Sequence, residues 1–119
     1  MRKVEAKNLV QVGREAEDRA ADYLVEHGYT IITRRYKSRR SELDLVAMDG
    51  DVLVFVEVKY RRAPGYSPEA SLGHDKLSAL KRAMWNYVSD MEIKNVDTRL
   101  DLVAIDSDGL RHHKNILAP

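Results

Sequence analysis

Two apolar runs joined by a turn constrain this chain more than any other feature. Residues 43–48 and 52–58 are separated only by Asp49-Gly50-Asp51. An Asp-Gly pair between β-branched runs specifies a hairpin, because glycine adopts the positive φ of a tight turn without steric penalty. Runs that are apolar at nearly every position belong in the middle of a sheet, covered on both faces. Any fold built on this hairpin therefore needs layers on both sides of it.

Elements able to supply those layers flank the hairpin. Residues 9–27 read as a helix ended by Gly28. At about 100° per residue, Gly13, Ala16, Glu17, Ala20, Tyr23 and Leu24 share one side, and Arg14, Glu15, Asp18, Arg19 and Asp22 the other. Glu17 is the one acid on the face expected to pack inward. Residues 29–36 read as a strand with Ile31 and Ile32 at its centre. Residues 61–73 contain Pro64, Gly65, Pro68 and Gly73 and read as a mobile loop near the candidate site. A second helix, 75–89, places Leu77, Leu80, Met84, Tyr87 and Val88 on or near one face. Residues 98–105 and 110–116, joined around Asp108-Gly109, read as two more strands. The order α-β-β-β-α-β-β predicts an α/β fold with a mixed sheet of about five strands flanked by helices. At 119 residues this is a single domain, 1–119.

The far end of the hairpin is charged. A turn that pairs Met48 with Asp51 also pairs Val46 with Leu53, Asp44 with Phe55 and Glu42 with Glu57. One face then carries Glu42, Asp44, Val46, Met48, Leu53, Phe55, Glu57 and Lys59. The other carries Leu43, Leu45, Ala47, Val52, Val54, Val56 and Val58 and is wholly apolar. Three carboxylates and an ammonium thus gather at one end of two buried strands. Isolated carboxylates there are unfavourable or become protonated. A divalent cation resolves the conflict, and Mg²⁺ needs only carboxylate oxygens, water and a phosphate. The structural alternative is a charge ladder in which Lys59 pairs with Asp44 or Glu57.

Composition narrows the chemistry. With no cysteine, disulfides, thiolate zinc sites and a cysteine nucleophile are excluded. There is no apolar run of membrane-spanning length and no charged-then-apolar leader, so a cytoplasmic protein with no membrane partner is expected. Net charge is only +1, yet Arg34, Arg35, Lys37, Arg39 and Arg40 fall within seven residues, and Arg61 and Arg62 follow Lys59. These form either a phosphate-binding patch or a solvated strand end. His112 and His113 should point to opposite faces of an exposed terminal strand. Trp85 and Tyr87 fit helix-core or dimer packing, and Lys76 and Lys81 a solvated helix face, with a phosphate contact open to Lys76.

Asp44, followed on the next strand by Glu57-Val58-Lys59, resembles the PD-(D/E)xK signature of restriction-endonuclease-like nucleases. A wider set is more similar still to the YraN-like family, which itself resembles archaeal Holliday-junction resolvases. That set is Gly13-Arg14 with Glu17 and Ala20, Glu42-Leu43-Asp44-Leu45, Val56-Glu57-Val58-Lys59, Lys76 with Ala83 and Tyr87, and Arg99-Leu100-Asp101. The resemblance implies a restriction-endonuclease-like fold and a metal-dependent nuclease acting on DNA, branched or damaged DNA included. It places Mg²⁺, or Mn²⁺ in its stead, on Asp44, Glu57, Glu17 and the Val58 carbonyl. Lys59 would position or activate the attacking water, which makes Asp44, Glu57, Lys59 and Glu17 the catalytic set. Glu42 and Lys76 are secondary candidates. Arg34, Arg35, Lys37, Arg39, Arg40, Arg61 and Arg62 would grip the nucleic-acid backbone. Junction cleavage would require two active sites, hence a homodimer. The chain departs from the pattern in four ways: Ser41 replaces the usual Gly, Arg35 a frequent Asn and Tyr60 a frequent Thr, and no Pro precedes the motif. Two other readings stay open, a catalytically silent nucleic-acid-binding module of the same fold and a structural domain held by salt bridges.

Overall fold

Helix α1 (Arg2–Glu26) opens the chain and is followed by three strands, β1 (Thr30–Ser38), β2 (Ser41–Asp49) and β3 (Val52–Tyr60). Helix α2 (His74–Asp90) then leads to β4 (Asp97–Asp106) and β5 (Gly109–His113). The computed structural model describes residues 2–38, 41–62 and 65–118, with side chains from residue 10 onward. The sheet order is β1-β2-β3-β4-β5. Only β3 and β4 run parallel, because α2 carries the chain back between them; the other pairs are antiparallel. The mixed five-stranded sheet and the element order are those expected from the sequence.

The helices lie on opposite faces. Ala16, Ala20, Ala21 and Leu24 of α1 pack with Leu45, Ala47, Val54, Val56, Val103 and Ile105. Leu80, Ala83, Met84 and Tyr87 of α2 pack with Val46, Leu53, Phe55 and Leu100. The central strands are buried on both faces, Leu53 to Glu57 without a break. Alanines let α1 approach closely, and Gly28 at φ 91° ends it as the sequence predicts. Gly13, expected inward, is exposed. Within 61–73, the described residues include a short 3₁₀ helix, Pro68–Ser71, with Pro68 buried. No described helix is long and apolar enough to cross a membrane.

The hairpin register differs from the expected one by two residues. Asp49 pairs with Val52, Met48 with Leu53, Val46 with Phe55 and Leu45 with Val56, so the turn residues are Gly50 and Asp51. Side chains alternate with a period of two, so an even shift preserves which face each residue occupies. It does change the neighbours. Asp44 is now one step beyond the Leu45–Val56 pair, level with Glu57 rather than Phe55.

A second correction concerns Leu43. It packs on the α2 face, whereas Leu45 packs on the α1 face. Strict alternation would put both on one side. The cause is visible in β1, where Arg34 pairs with Asp18 and Arg35 with Glu17, two successive side chains reaching the same helix. Arg35 has φ 51°, the left-handed region, and after it Tyr36 joins the α2 face. Tyr36 opposes Leu43 and Arg34 opposes Leu45, so both strands turn over at Arg35 and Asp44. Nearer its start, β1 also shifts register between Ile31 and Thr33, and Ile32, expected in the strand's apolar centre, is exposed.

Candidate functional site

Asp44 sits at that turnover, and the β2–β3 ladder stops beside it. The N–H of Val58 donates to Asp44 Oδ2 at 2.8 Å instead of to a β2 carbonyl. Burial pushes the Asp44 carboxyl well above the usual carboxylate range, and the neighbouring Glu57 charge adds to the effect. The Val58 N–H opposes the rise, and Glu17 contributes weakly to it. Two carboxylates therefore compete for one small region with little water to separate them.

Glu57 lies on β3, the strand buried on both faces, and is itself only 4% exposed. Its Oε2 receives Lys59 Nζ at 3.2 Å and Lys76 Nζ at 3.3 Å. Lys59 is two residues along the same strand and so projects from the same face. Lys76 arrives from the first turn of α2. Its spacing in the sequence marks only a helix surface, and no local pattern foretells its contact with Glu57.

Glu17 is held by Arg35, Oε1 to Nε at 2.7 Å. Glu17, Arg35, Lys37, Glu42 and Asp44 line one cleft of about 140 Å³. Glu42 is exposed and its carboxylate faces Lys37 at 3.4 Å. Of the basic candidates, Arg34, Arg35 and Lys37 are each paired with an acid, and Arg61 and Arg62 are exposed. Arg39 and Arg40 lie outside the described residues. Ser41 is buried, and its hydroxyl accepts from the Asn86 amide at 2.7 Å, which ties β2 to α2.

A profile of the family described as uncharacterised protein family UPF0102 matches residues 16–105. The chain belongs to UPF0102. The UPF0102 protein of Persephonella marina is 36% identical over 104 residues, which cover 87% of this chain and 90% of that one. The UPF0102 protein of Carboxydothermus hydrogenoformans is 33% identical over 115 residues, covering 92% and 98%. That of Pseudarthrobacter chlorophenolicus is 39% identical over 107 residues, covering 89% and 80%. The UPF0102 match spans the C-terminal part of α1, all of α2, and β1 to nearly the end of β4, so every acid and lysine of the cluster falls inside it.

Elsewhere in this UPF0102 chain a second polar cluster is fully satisfied. Asp101 is 0% exposed and accepts from Tyr29 Oη at 3.1 Å, Arg99 Nε at 2.9 Å and Arg99 Nη2 at 3.2 Å. It also accepts from His112 Nε2 at 2.8 Å and from the Asn115 N–H at 3.0 Å. Burial alone would raise its pKa. The hydrogen bonds from His112, Arg99 and Asn115 and the Arg99 charge overcome this and hold it at about 2. His112, expected on an exposed strand, is thus inside, while His113 points the other way to Glu69. Trp85 is 73% exposed and Tyr87 buried against Phe55.

The first cluster has the donors a hard cation needs. Asp44 and Glu57 could offer carboxylate oxygens to a cation such as Mg²⁺, which would need water and phosphate oxygens to complete its shell. Among the described residues, no three His, Cys, Asp or Glu side chains converge as a ready cation cage. Each acid instead leans on a partner of its own: Glu57 on two lysines, Glu17 on Arg35 and Asp44 on the Val58 N–H.

Proposed function

We propose that this protein is a metal-dependent nuclease that hydrolyses phosphodiester bonds in DNA, branched or damaged DNA included. One observation carries the reading. Two carboxylates, Asp44 and Glu57, are desolvated at the end of central strands, close enough that one raises the other's proton affinity, with Lys59 beside them. Such an arrangement opposes folding, and proteins retain it mainly where function requires it. The same residues match the PD-(D/E)xK pattern.

Asp44 and Glu57 would hold Mg²⁺, with Glu17 and the Val58 carbonyl as further ligands. When bound, Mg²⁺ supplies Lewis acidity toward a phosphoryl oxygen and acidifies a coordinated water. Lys59 Nζ, anchored by Glu57, orients the attacking water or steadies the charge growing on the phosphate. The apolar faces of β3 keep bulk water from beneath the carboxylates. Arg61, Arg62 and the cations of β1 contact the sugar–phosphate backbone, giving affinity without sequence preference. A cytoplasmic address would suit such a substrate, and junction cleavage would further require a homodimer.

A catalytically silent binding module is the second reading, favoured by the partner that each acid already has. Purified protein incubated with Mg²⁺ or Mn²⁺ and labelled duplex, flap, four-way-junction, single-stranded and RNA substrates separates the two. The nuclease reading expects metal-dependent cleavage that drops about 100-fold or more in Lys59→Ala and in Asp44→Asn. Binding without cleavage in all three proteins makes it a silent module. If neither occurs, the carboxylate cluster is architecture.

A further inference from the structure

Two ammonium groups meet on a single carboxylate oxygen, Glu57 Oε2, from Lys59 and Lys76. Together they match the two carboxylates of Glu57 and Asp44 once Asp44 is ionised, so this end of the sheet is then neutralised by its own side chains. A divalent cation on those carboxylates would leave two positive charges in excess. That excess favours an anion at this place.

The two lysines are not equivalent. Lys59 shares a strand with Glu57 and its side chain is 23% exposed. Lys76 belongs to a separate element and its side chain is 42% exposed, so it reaches solvent while touching a buried acid. Lysine suits such a position because its ammonium is a compact charge on a long flexible stem that can re-aim without moving the helix.

We infer that Lys76 is an exchangeable counter-cation. Its ammonium neutralises Glu57 in the resting site and transfers to a nucleic-acid phosphate when a divalent cation engages Asp44 and Glu57. This assignment rests on the nuclease reading for the identity of the cation and of the anion. The consequence is reciprocal coupling: Mg²⁺ strengthens nucleic-acid binding, and nucleic acid strengthens Mg²⁺ binding by the same factor.

The test compares the wild type with Lys76→Gln, which removes the charge, and Lys76→Arg, which keeps it. Mg²⁺ is titrated calorimetrically into each protein alone. Affinity for a labelled DNA duplex is then read by fluorescence anisotropy with and without Mg²⁺, and intact DNA is verified on a gel. Lys76→Gln should bind Mg²⁺ about threefold more tightly, because a competing cation is gone, and bind DNA in Mg²⁺ about tenfold more weakly. Its Mg²⁺-dependent gain in DNA affinity should shrink, and Lys76→Arg should restore it. These opposite signs are not expected of a merely structural residue. The exchange is overturned if Lys76→Gln binds Mg²⁺ as the wild type does and keeps the full Mg²⁺-dependent gain. Coupling as expected with no cleavage leaves the exchange standing and removes the nuclease reading. Cleavage with indifferent Lys76 variants does the reverse, and a wild type that takes up no Mg²⁺ removes both.

Discussion

Asp44→Asn should make this protein more stable, although it removes a charged group from a hydrogen bond. Desolvation, though the residue is only partly buried, and the Glu57 charge beside it raise the Asp44 pKa in the fold from 3.8 to about 7. A carboxyl with a raised folded-state pKa stabilises the fold only while it is protonated. The sign is therefore definite: stability falls as pH climbs from about 4 through about 7 and stays low above that. The displacement corresponds to a ceiling of about 4 kcal/mol at pH 8. Asparagine still offers an oxygen to the Val58 N–H, but burying its amide takes back part of the gain. A net stabilisation of about 2 kcal/mol is expected, or roughly 6–10 °C in melting temperature for a domain of this size. Thermal melts of wild type and variant in a chelator, at pH 5 and at pH 8, provide the assay. The difference should be large at pH 8 and small at pH 5, and Mg²⁺ should raise the melting temperature of the wild type alone. An Asp44→Asn protein that is less stable at pH 8, or a gain independent of pH, would refute the reasoning. Asp44 would then be a structural residue.

Asp101→Ala should cost about 3–5 kcal/mol, because it leaves the partly buried Arg99 with Asp49 as its one remaining acid among the described residues and strands Tyr29 and His112; urea unfolding would read this as a lower midpoint with unchanged slope. Since Asp101 ionises at about 2 in the fold, the stability it confers is complete above about pH 4 and lost as pH falls toward 2, so an acid titration of the wild type should show a loss in that window that Asp101→Ala lacks. Arg35→Asn should be neutral or stabilising by up to about 1 kcal/mol, since asparagine tolerates φ 51° better than arginine and the Glu17 pair it sacrifices is half-exposed; a clear fall in the denaturation midpoint would show that the ion pair outweighs the strain.

Much of this protein was legible from local pattern. Turn residues, apolar periods and the Gly28 stop gave the element order, the hairpin and the single anomalous acid on α1. Face assignment for Glu57 and Lys59 also survived a wrong register, because an error of two residues leaves a period-two pattern intact, whereas Asp44 lies where the strand turns over. What the pattern could not reach were the places where one element meets another. The level of Asp44 with Glu57 depends on which residues make the turn, and Leu43 changes face because Arg35 takes a positive φ that no apolar period encodes. By local pattern Lys76 is a surface lysine, a secondary candidate only through the family resemblance, until α2 is laid across the sheet and brings it to Glu57. Arg99 and Asp49, fifty residues apart, join Asp101 and His112 for the same reason. Periodicity is a property of neighbours three or four residues apart or fewer, so the sequence by itself determined the elements and their faces. Charge pairing depends on where those faces cross, and that only the tertiary structure decided.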